Sequence, residues 1–276
     1  MAANAVSHSD VGNFSWLNYP DHITQFPTKI AFVTDEHCPH QDDRARMVAL
    51  QIVHDFNPNV RITLSDGLDF YAVSRFDKDP KVLLYGGMQK EIDVWKRCQR
   101  EWLDAAPNAE NRAILGNHED RLYRYLRRNP ELYDLQALEL ENLLDFKALN
   151  ITGKVEDELL FGSDSQLTIT HGSVVRQGSA YSAKGELDRA FHSTTILSGH
   201  THRGGSHYVT VKDKVVSAHE CFCLCDLNPT YMKHPNWQQG ITLATMRNDI
   251  PVIEAIPFHR LDGKVVAYWR GKEYTE

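Results

Sequence analysis

The chain has 276 residues, of which 42 % are hydrophobic, which is enough for a large buried core. Its 30 Lys and Arg against 37 Asp and Glu give a formal net charge of −7, so nothing in the overall charge favours a general affinity for nucleic acid or membrane. No run approaches about 18 apolar residues, and the first residues lack the pattern of a secretory signal. We therefore expect a cytoplasmic protein with no membrane contact, whose five cysteines are reduced.

In the first half of the chain, short apolar runs alternate with amphipathic helical patterns. The predicted elements are, in order, a strand at 29–34, a helix at 42–56, a strand at 60–65, a helix at 88–103 and a strand at 112–115. This order is typical of β-α-β units whose strands are buried on both faces. The preceding residues, 1–28, are polar and are interpreted as an arm laid over the surface.

The second half of the chain changes from helices to antiparallel strands. Residues 119–149 are helical in pattern and predict an insertion over the sheet at about 120–160. The later predicted strands lie at 166–170 and 194–197, in a hairpin over 208–224, and in the segments GITLATM, VIEAIPF and KVVAYW. The pattern favours an α/β fold with two packed sheets and helices outside, in which residues 29–276 form a single domain.

Polar side chains that can bind a metal follow five successive predicted strands. They are Asp35 and His37, Asp66 and Asp69, Asn117 and His118, His171, and finally His200 and His202. Because ligands bind at the carboxyl ends of the strands in an open α/β sheet, we expect these side chains to meet on one rim. Unpaired carboxylates would repel one another there and imidazoles would lose hydration, so a cation is the natural compensation.

The types of these side chains indicate which ions they would bind. Imidazole and carboxylate without thiolate suit Mn²⁺, Fe, Zn²⁺, Co²⁺ or Ni²⁺ better than Ca²⁺, and Mn²⁺ is the first expectation. A single catalytic zinc takes about three protein ligands, whereas many more candidates are present here. Two ions roughly 3.5 to 4 Å apart, bridged by a carboxylate, would use them and are a recurring device for hydrolysing phosphate esters.

Five blocks of the sequence resemble the calcineurin-like metallophosphoesterase family, and they occur in the family's order. The blocks are Asp35-x-His37, Asp66-x-x-Asp69, Gly116-Asn117-His118-Glu119, His171 and Gly199-His200-Thr201-His202. The resemblance spans residues 30–203 and implies two mixed sheets flanked by helices, an α/β/β/α sandwich. It departs at Ser65, where the family usually has a glycine before the bridging aspartate; that glycine gives a tight turn.

The resemblance also implies a role for each matched residue. It assigns Asp35, His37 and His202 to one metal, Asn117, His171 and His200 to the other, and Asp66 to both. His118 would stand beside the leaving group as a proton donor or as a stabiliser of transition-state charge, and Asp69 is interpreted as orienting a ligating imidazole. The implied activity is hydrolysis of a phosphate monoester or diester by metal-activated hydroxide, with no covalent intermediate.

The substrate expected from this resemblance is a phosphorylated small molecule or nucleotide, and nucleic acid remains open. The first alternative is a metal-dependent nuclease of the DNA-repair type, which would be expected to carry a basic groove. The second is a non-catalytic interaction scaffold; such family members usually lack the histidine of the GNH block, whereas His118 is present.

Two further patterns have both a structural and a functional interpretation. Arg121, Arg124 and Arg128 lie at i, i+3 and i+7, which favours a solvated helix face over a guide for polyphosphate or nucleic acid. Cys221, Cys223 and Cys225 alternate, so in a strand their thiols would share one face. Their spacing is not the C-x-x-C of a zinc site, and they are interpreted as buried core residues.

Overall fold

The computed structural model of the protein describes residues 28–84, 87–155, 157–229 and 233–276. The arm predicted over 1–28 lies outside the described residues, apart from Thr28, which begins the first strand. Within these described ranges, no helix is long and apolar enough to cross a membrane.

Helices and strands alternate in the first half of the described chain, and strands dominate the second half. The α-helices are α1 (Asp43–Phe56), α2 (Pro80–Leu84), α3 (Gly87–Ala105), α4 (Glu119–Arg128), α5 (Leu140–Leu143) and α6 (Tyr181–Arg189). The strands are β1 (Thr28–Phe32), β2 (Val60–Leu64), β3 (Glu110–Ile114), β4 (Ile151–Val155), β5 (Glu158–Phe161), β6 (Leu167–Thr170), β7 (Thr195–Ser198), β8 (Gly204–Val211), β9 (Lys214–Cys221), β10 (Gly240–Arg247), β11 (Ile250–Pro257), β12 (His259–Leu261), β13 (Lys264–Trp269) and β14 (Lys272–Thr275).

Two large mixed sheets contain most of the strands. The first has the order β11-β10-β1-β2-β3-β4, in which β1 to β4 are parallel and β10 and β11 are antiparallel additions. The second has the order β5-β6-β7-β9-β8, with a parallel centre and an antiparallel strand at each edge. Strands β12 to β14 form a small antiparallel sheet. The predicted α/β fold with two mixed sheets is confirmed.

The core between the two large sheets is built by alternate residues of their strands. In β1, Ile30 and Phe32 face this core, whereas Ala31 packs on the opposite side against α1. Phe161 and Ile169 contribute to the same core from the second sheet. Both faces of the central strands are therefore buried, which explains their continuous apolar character.

Helices cover the outer face of each large sheet. Helix α1 begins after Asp42, whose carboxylate accepts hydrogen bonds from the backbone N–H groups of Arg44 and Ala45, both at 3.1 Å. Helix α1 and the end of α3 pack on the first sheet, and α6 packs on the second through residues such as Leu187. The resulting order of layers is helix, sheet, sheet, helix.

The segment after β3 is less helical than its pattern predicts. Helix α4 ends at Arg128, directly before Asn129-Pro130, where proline disfavours continuation of the helix. Residues 151–155 and 158–161 are β4 and β5 of the two large sheets, so the insertion ends before residue 151 and not at about 160. In β4 only Ile151 is buried, which left no apolar alternation by which to predict an edge strand.

Candidate metal centre

The nine polar residues predicted at the strand ends lie together at one edge of the two large sheets. Each has an atom within 3.4 Å of another member of the group. Those that follow β1, β2 and β3 come from the first sheet, and those that follow β6 and β7 come from the second. The site is therefore formed where the carboxyl ends of parallel strands from both sheets meet.

One group of candidate ligands consists of Asp35, His37 and His202, whose ligand atoms lie within 4.8 Å of one another. The two Nε2 atoms of the histidines are 2.9 Å apart, and Asp35 Oδ1 is 3.1 Å from His202 Nε2. The other carboxylate oxygen of Asp35 accepts hydrogen bonds from Thr34 Oγ1 at 2.5 Å and from the backbone N–H of His200 at 3.0 Å. One oxygen of Asp35 thus anchors the loop, and the other faces the histidines.

A second group consists of Asp66, His171 and His200, with ligand atoms again within 4.8 Å of one another. His171 Nε2 is 3.1 Å from His200 Nδ1 and 3.1 Å from the amide oxygen of Asn117. Asp66 Oδ2 is 3.4 Å from His171 Nε2. Asn117 therefore lies beside this group, in contact with His171.

Asp66 connects the two groups through a single oxygen. Its Oδ2 lies 3.4 Å from His171 Nε2 and 3.9 Å from His37 Nε2, which belong to different groups. Its Oδ1 accepts a hydrogen bond of 2.8 Å from the backbone N–H of His118. This is the position that a carboxylate shared by two cations would occupy.

The electrostatics of the site favour positive charge between these side chains. Burial alone would raise the pKa of Asp35 and Asp66, but the facing His202 and His171 outweigh it and hold both pKa values well below the usual range. Burial lowers the pKa of His171, but the Asp66 carboxylate raises it by more, so that the pKa rises to about 9. The carboxylates thus stabilise positive charge here, whether imidazolium protons or a metal ion carry it.

The donor set fits a divalent metal ion of the first transition row. Asp35 Oδ1 is buried, and no described residue donates a hydrogen bond to it. The facing Nε2 atoms of His37 and His202 require a proton or a cation near them, because two lone pairs at 2.9 Å repel each other. Nitrogen and carboxylate oxygen donors match Mn²⁺, Fe, Zn²⁺, Co²⁺ or Ni²⁺.

Several candidate ligands stand on left-handed backbone, which residues other than glycine rarely adopt. They are Asp35, His37, Asp66, His200 and His202, with φ values of 54°, 49°, 63°, 70° and 57°. Each such conformation costs on the order of 1–3 kcal/mol and persists only where neighbouring groups fix it. Backbone hydrogen bonds between the loops after β1 and β2 do so, from Asp35 N to Ser65 O at 2.9 Å and from His37 N to Asp66 O at 3.0 Å.

Two glycines of the sequence blocks lie directly against the carboxylates. A Cβ at Gly116 would lie 2.1 Å from Asp66 Oδ1, and a Cβ at Gly199 would lie 2.6 Å from Asp35 Oδ2. Any larger residue at either position would therefore displace a candidate ligand.

Sequence reasoning missed the roles of two residues that hold the site together. The Glu119 carboxylate accepts hydrogen bonds from the backbone N–H groups of Gly116 at 2.8 Å, Asp66 at 3.0 Å and Leu68 at 3.2 Å, which ties the loops after β2 and β3 together. Ser65 Oγ is 2.8 Å from His171 Nδ1 and fixes the orientation of that ring. For Ser65, the position directly before Asp66 was the only feature of the sequence that pointed to a role in the site.

The three alternating cysteines are buried and unpaired, as expected. Strand β9 ends at Cys221, so the other two are not part of a continuous strand. Cys225 Sγ lies 3.7 Å from His202 Nδ1, and Cys223, Cys225 and His202 have ligand atoms within 4.8 Å of one another. The thiol therefore contacts Nδ1 of His202, whereas Asp35 and His37 contact Nε2 of the same ring.

His118 lies between the candidate ligands and α4. Its Nδ1 is 3.0 Å from Asp69 Oδ1, and its Nε2 is 3.8 Å from Asp66 Oδ2 and 2.7 Å from Arg121 Nη2. Asp69 Oδ1 is also 3.5 Å from His37 Nδ1. Asp69 thus contacts two imidazoles, and the ligand atoms of His37, Asp69 and His118 also lie within 4.8 Å of one another.

The chain is similar to known proteins at low sequence identity. No model of a known protein family matches the chain. The chain is similar to Gene 54 protein of Mycobacterium phage L5, with 24 % identity over 258 residues that cover 86 % of this chain and 98 % of the phage protein. Among solved structures, the chain is similar to Vps29 from Entamoeba histolytica complexed with Zn²⁺. The two share 11 % sequence identity with a TM-score of 0.42, and the match covers 90 % of this chain and 98 % of Vps29.

Proposed function

We propose that the protein is a metal-dependent phosphoesterase that hydrolyses a phosphate monoester or diester with two divalent ions. The observation that supports this most directly is the placement of Asp66, whose Oδ2 faces histidines of two separate ligand groups. Two ions bridged by a carboxylate are a recurring arrangement for phosphate-ester hydrolysis. The order of the sequence blocks and their resemblance to metallophosphoesterases support the same conclusion.

Each ion would be held by residues of both sheets. Asp35, His37 and His202 would hold one ion, Asn117, His171 and His200 would hold the other, and Asp66 would be shared. When bound, such ions supply Lewis acidity, which makes water more acidic and offsets negative charge that develops on phosphoryl oxygens.

The other residues of the site orient these ligands. Ser65 fixes the ring of His171, Asp69 contacts the ring of His37 on its outer side, and Glu119 holds the loop that carries Asp66. Because they are packed in place before substrate arrives, the site needs little rearrangement to bind an ion.

We propose a phosphorylated small molecule or nucleotide as the substrate, because the net charge of −7 gives no general attraction for nucleic acid. The five cysteines are free and buried, which supports a cytoplasmic, reducing location.

The proposal is tested by assaying the purified, Mn²⁺-loaded chain with p-nitrophenyl phosphate and bis-p-nitrophenyl phosphate. We expect hydrolysis of at least one ester, and a loss of about 100-fold or more in Asp66→Asn. The control Asp104→Asn, at an exposed position on α3, should retain full activity. An inactive wild type that binds Mn²⁺ would favour the scaffold alternative.

An active protein is then assayed with a substrate panel. The panel contains nucleotides, cyclic nucleotides, phosphopeptides, and single- and double-stranded DNA. Turnover of nucleotides supports the proposed substrate class, whereas turnover confined to DNA would replace it with the nuclease alternative.

A further inference from the structure

Arg121 differs from the other arginines of the predicted stripe on α4. Its side chain is 17 % exposed and turns toward the candidate metal centre, where Nη2 lies 2.7 Å from His118 Nε2 and Nη1 donates to the backbone carbonyl of Asp69 at 2.7 Å. Arg124, in contrast, is 54 % exposed and pairs with Asp120 on its own helix. The interpretation of the stripe as one solvated face is therefore wrong for Arg121.

The contact between Arg121 and His118 determines which nitrogen of the neutral His118 imidazole carries its single N–H proton. A guanidinium only donates hydrogen bonds and stays charged, so His118 Nε2 must be the acceptor. On the other side of the ring, Nδ1 lies 3.1 Å from the backbone carbonyl oxygen of Asp69, which can only accept a hydrogen bond, and 3.0 Å from the Asp69 carboxylate. His118 thus carries its proton on Nδ1, pointing away from Asp66.

This arrangement conflicts with proton donation, one of the two roles that the resemblance implies for His118. A proton donor to the leaving group needs an N–H directed at the metal centre, and Nε2 is the ring nitrogen on that side, 3.8 Å from Asp66 Oδ2. The N–H groups at this place belong instead to Arg121. Phe76, whose ring centroid is 6.0 Å from the guanidinium carbon, lies beside Arg121 on its outer side.

Resting on the proposed function, we propose that Arg121 binds the phosphoryl group of the substrate directly. Its Nη atoms donate hydrogen bonds to phosphoryl oxygens, for which a guanidinium has the matching two-pronged geometry. His118 is then a positioning residue that orients Arg121. In the overall hydrolysis, the oxygen of water forms the new bond to phosphorus, the ester P–O bond breaks, and the alcohol receives a proton that originates from water. Neither Arg121 nor His118 transfers a proton.

The first test measures binding of inorganic phosphate to the Mn²⁺-loaded protein by calorimetry, with metal content measured in parallel. We expect Arg121→Gln to weaken phosphate binding by about 10- to 100-fold with unchanged metal content, and Arg121→Lys to fall between wild type and Arg121→Gln. The matched control Arg127→Gln, on the exposed side of α4, should bind as wild type does. Wild-type phosphate affinity in Arg121→Gln would overturn the proposal.

The second test separates positioning from proton donation at His118. If His118 acts through Arg121, His118→Gln should raise KM. The double variant, which carries both His118→Gln and Arg121→Gln, should then have a KM no higher than that of Arg121→Gln alone. The loss in His118→Gln should also be equal for phenyl phosphate and p-nitrophenyl phosphate. The proposal would be contradicted if the losses of the two single variants multiplied in the double variant. It would also be contradicted if His118→Gln lost more activity with phenyl phosphate, whose leaving group is the poorer one.

The two tests also separate this inference from the proposed function. A wild-type protein that hydrolyses no ester refutes the phosphoesterase, whereas the phosphate-binding comparison still decides the role of Arg121.

Discussion

At the scale of single residues, each of the two buried aspartates, Asp35 and Asp66, uses one oxygen to hold a loop and the other to face imidazoles. In both Asp35 and Asp66, one oxygen accepts a backbone N–H, at 3.0 Å and 2.8 Å respectively, and the other faces imidazole nitrogens. The backbone bond fixes the carboxylate before any ion binds, which lowers the ordering cost of binding. Sequence alone identified these aspartates but not this division, because it depends on N–H groups that follow distant strands.

Ser65 occupies the position where the resemblance leads one to expect glycine, and its hydroxyl orients His171 at 2.8 Å. We predict that Ser65→Ala weakens Mn²⁺ binding by about 10-fold, because the ring of His171 loses the partner that fixes its orientation. Calorimetric titration of metal-free protein measures this. The control is Ser206→Ala, which removes the equivalent 2.8 Å contact to His219, a histidine outside the ligand groups. Equal Mn²⁺ affinity in Ser65→Ala and wild type would contradict the prediction.

We predict that His219 makes the stability of the protein depend on pH, because its imidazole is buried. It is 2 % exposed, its ring nitrogens contact Ser206 and Ser217, and burial lowers its pKa from 6.5 to about 4. Because the unfolded chain takes up the proton more readily than the folded one, stability is full above pH 6.5 and falls as the pH drops toward 4.

The expected size of this effect is about 2 kcal/mol in the free energy of unfolding between about pH 8 and about pH 5. Urea denaturation at the two pH values measures it. His219→Gln should show a decrease smaller by about this amount, since glutamine carries no titrating group. The same pH dependence in both proteins would exclude His219 as its source.

At the scale of elements, the loop that carries Asp35 and His37 is anchored to two helices through the residue between them. Glu36 is 1 % exposed and accepts hydrogen bonds from Arg46 Nε on α1 at 2.8 Å and from Trp102 Nε1 on α3 at 2.9 Å. A buried charge pair with additional hydrogen bonds holds the loop in one position. Nothing in the sequence distinguished Glu36 from an exposed loop residue.

We predict that Glu36→Gln destabilises the protein by about 3 kcal/mol, because it removes the one buried carboxylate among those that pair with the buried Arg46 guanidinium. The matched control is Glu101→Gln, which also pairs with Arg46 at 2.9 Å but is 38 % exposed. That variant should lose less than about 1 kcal/mol. Urea denaturation measures the free energy of unfolding of both variants. An equal decrease in the two would show that burial of the Glu36–Arg46 pair does not increase its contribution to stability.

Elements with strong local signals were predicted closely from the sequence. Helix α1 starts one residue after the predicted start because Asp42 is its cap, and the hairpin predicted over 208–224 is present but spans Gly204–Val211 and Lys214–Cys221. Within α1, Met47 is 41 % exposed, because the face that packs on the sheet is formed by neighbours such as Val48 and Ile52. Helix α6 was not predicted, since few of its residues are apolar.

At the scale of the whole molecule, the site exists because two sheets pack with the carboxyl ends of their parallel strands at a common edge. The sequence predicted which residues follow each strand, and the rule on strand ends predicted that they converge. The resemblance assigned Asp66 and His171 to the same metal, and the two side chains lie 3.4 Å apart, but nothing in the sequence predicted that Arg121 turns toward His118. The direction of the Arg121 side chain depends on the loop after β2, because Nη1 donates to the backbone carbonyl of Asp69, 52 residues earlier in the chain.

The central claim is that these converging side chains hold two ions with Asp66 between them. Calorimetric titration of metal-free protein with Mn²⁺, checked by elemental analysis, measures this most directly. The account predicts about two ions per chain in the wild type and fewer, more weakly bound ions in Asp66→Asn. Absence of saturable Mn²⁺ binding in the wild type, or the same stoichiometry and affinity in Asp66→Asn, would contradict it.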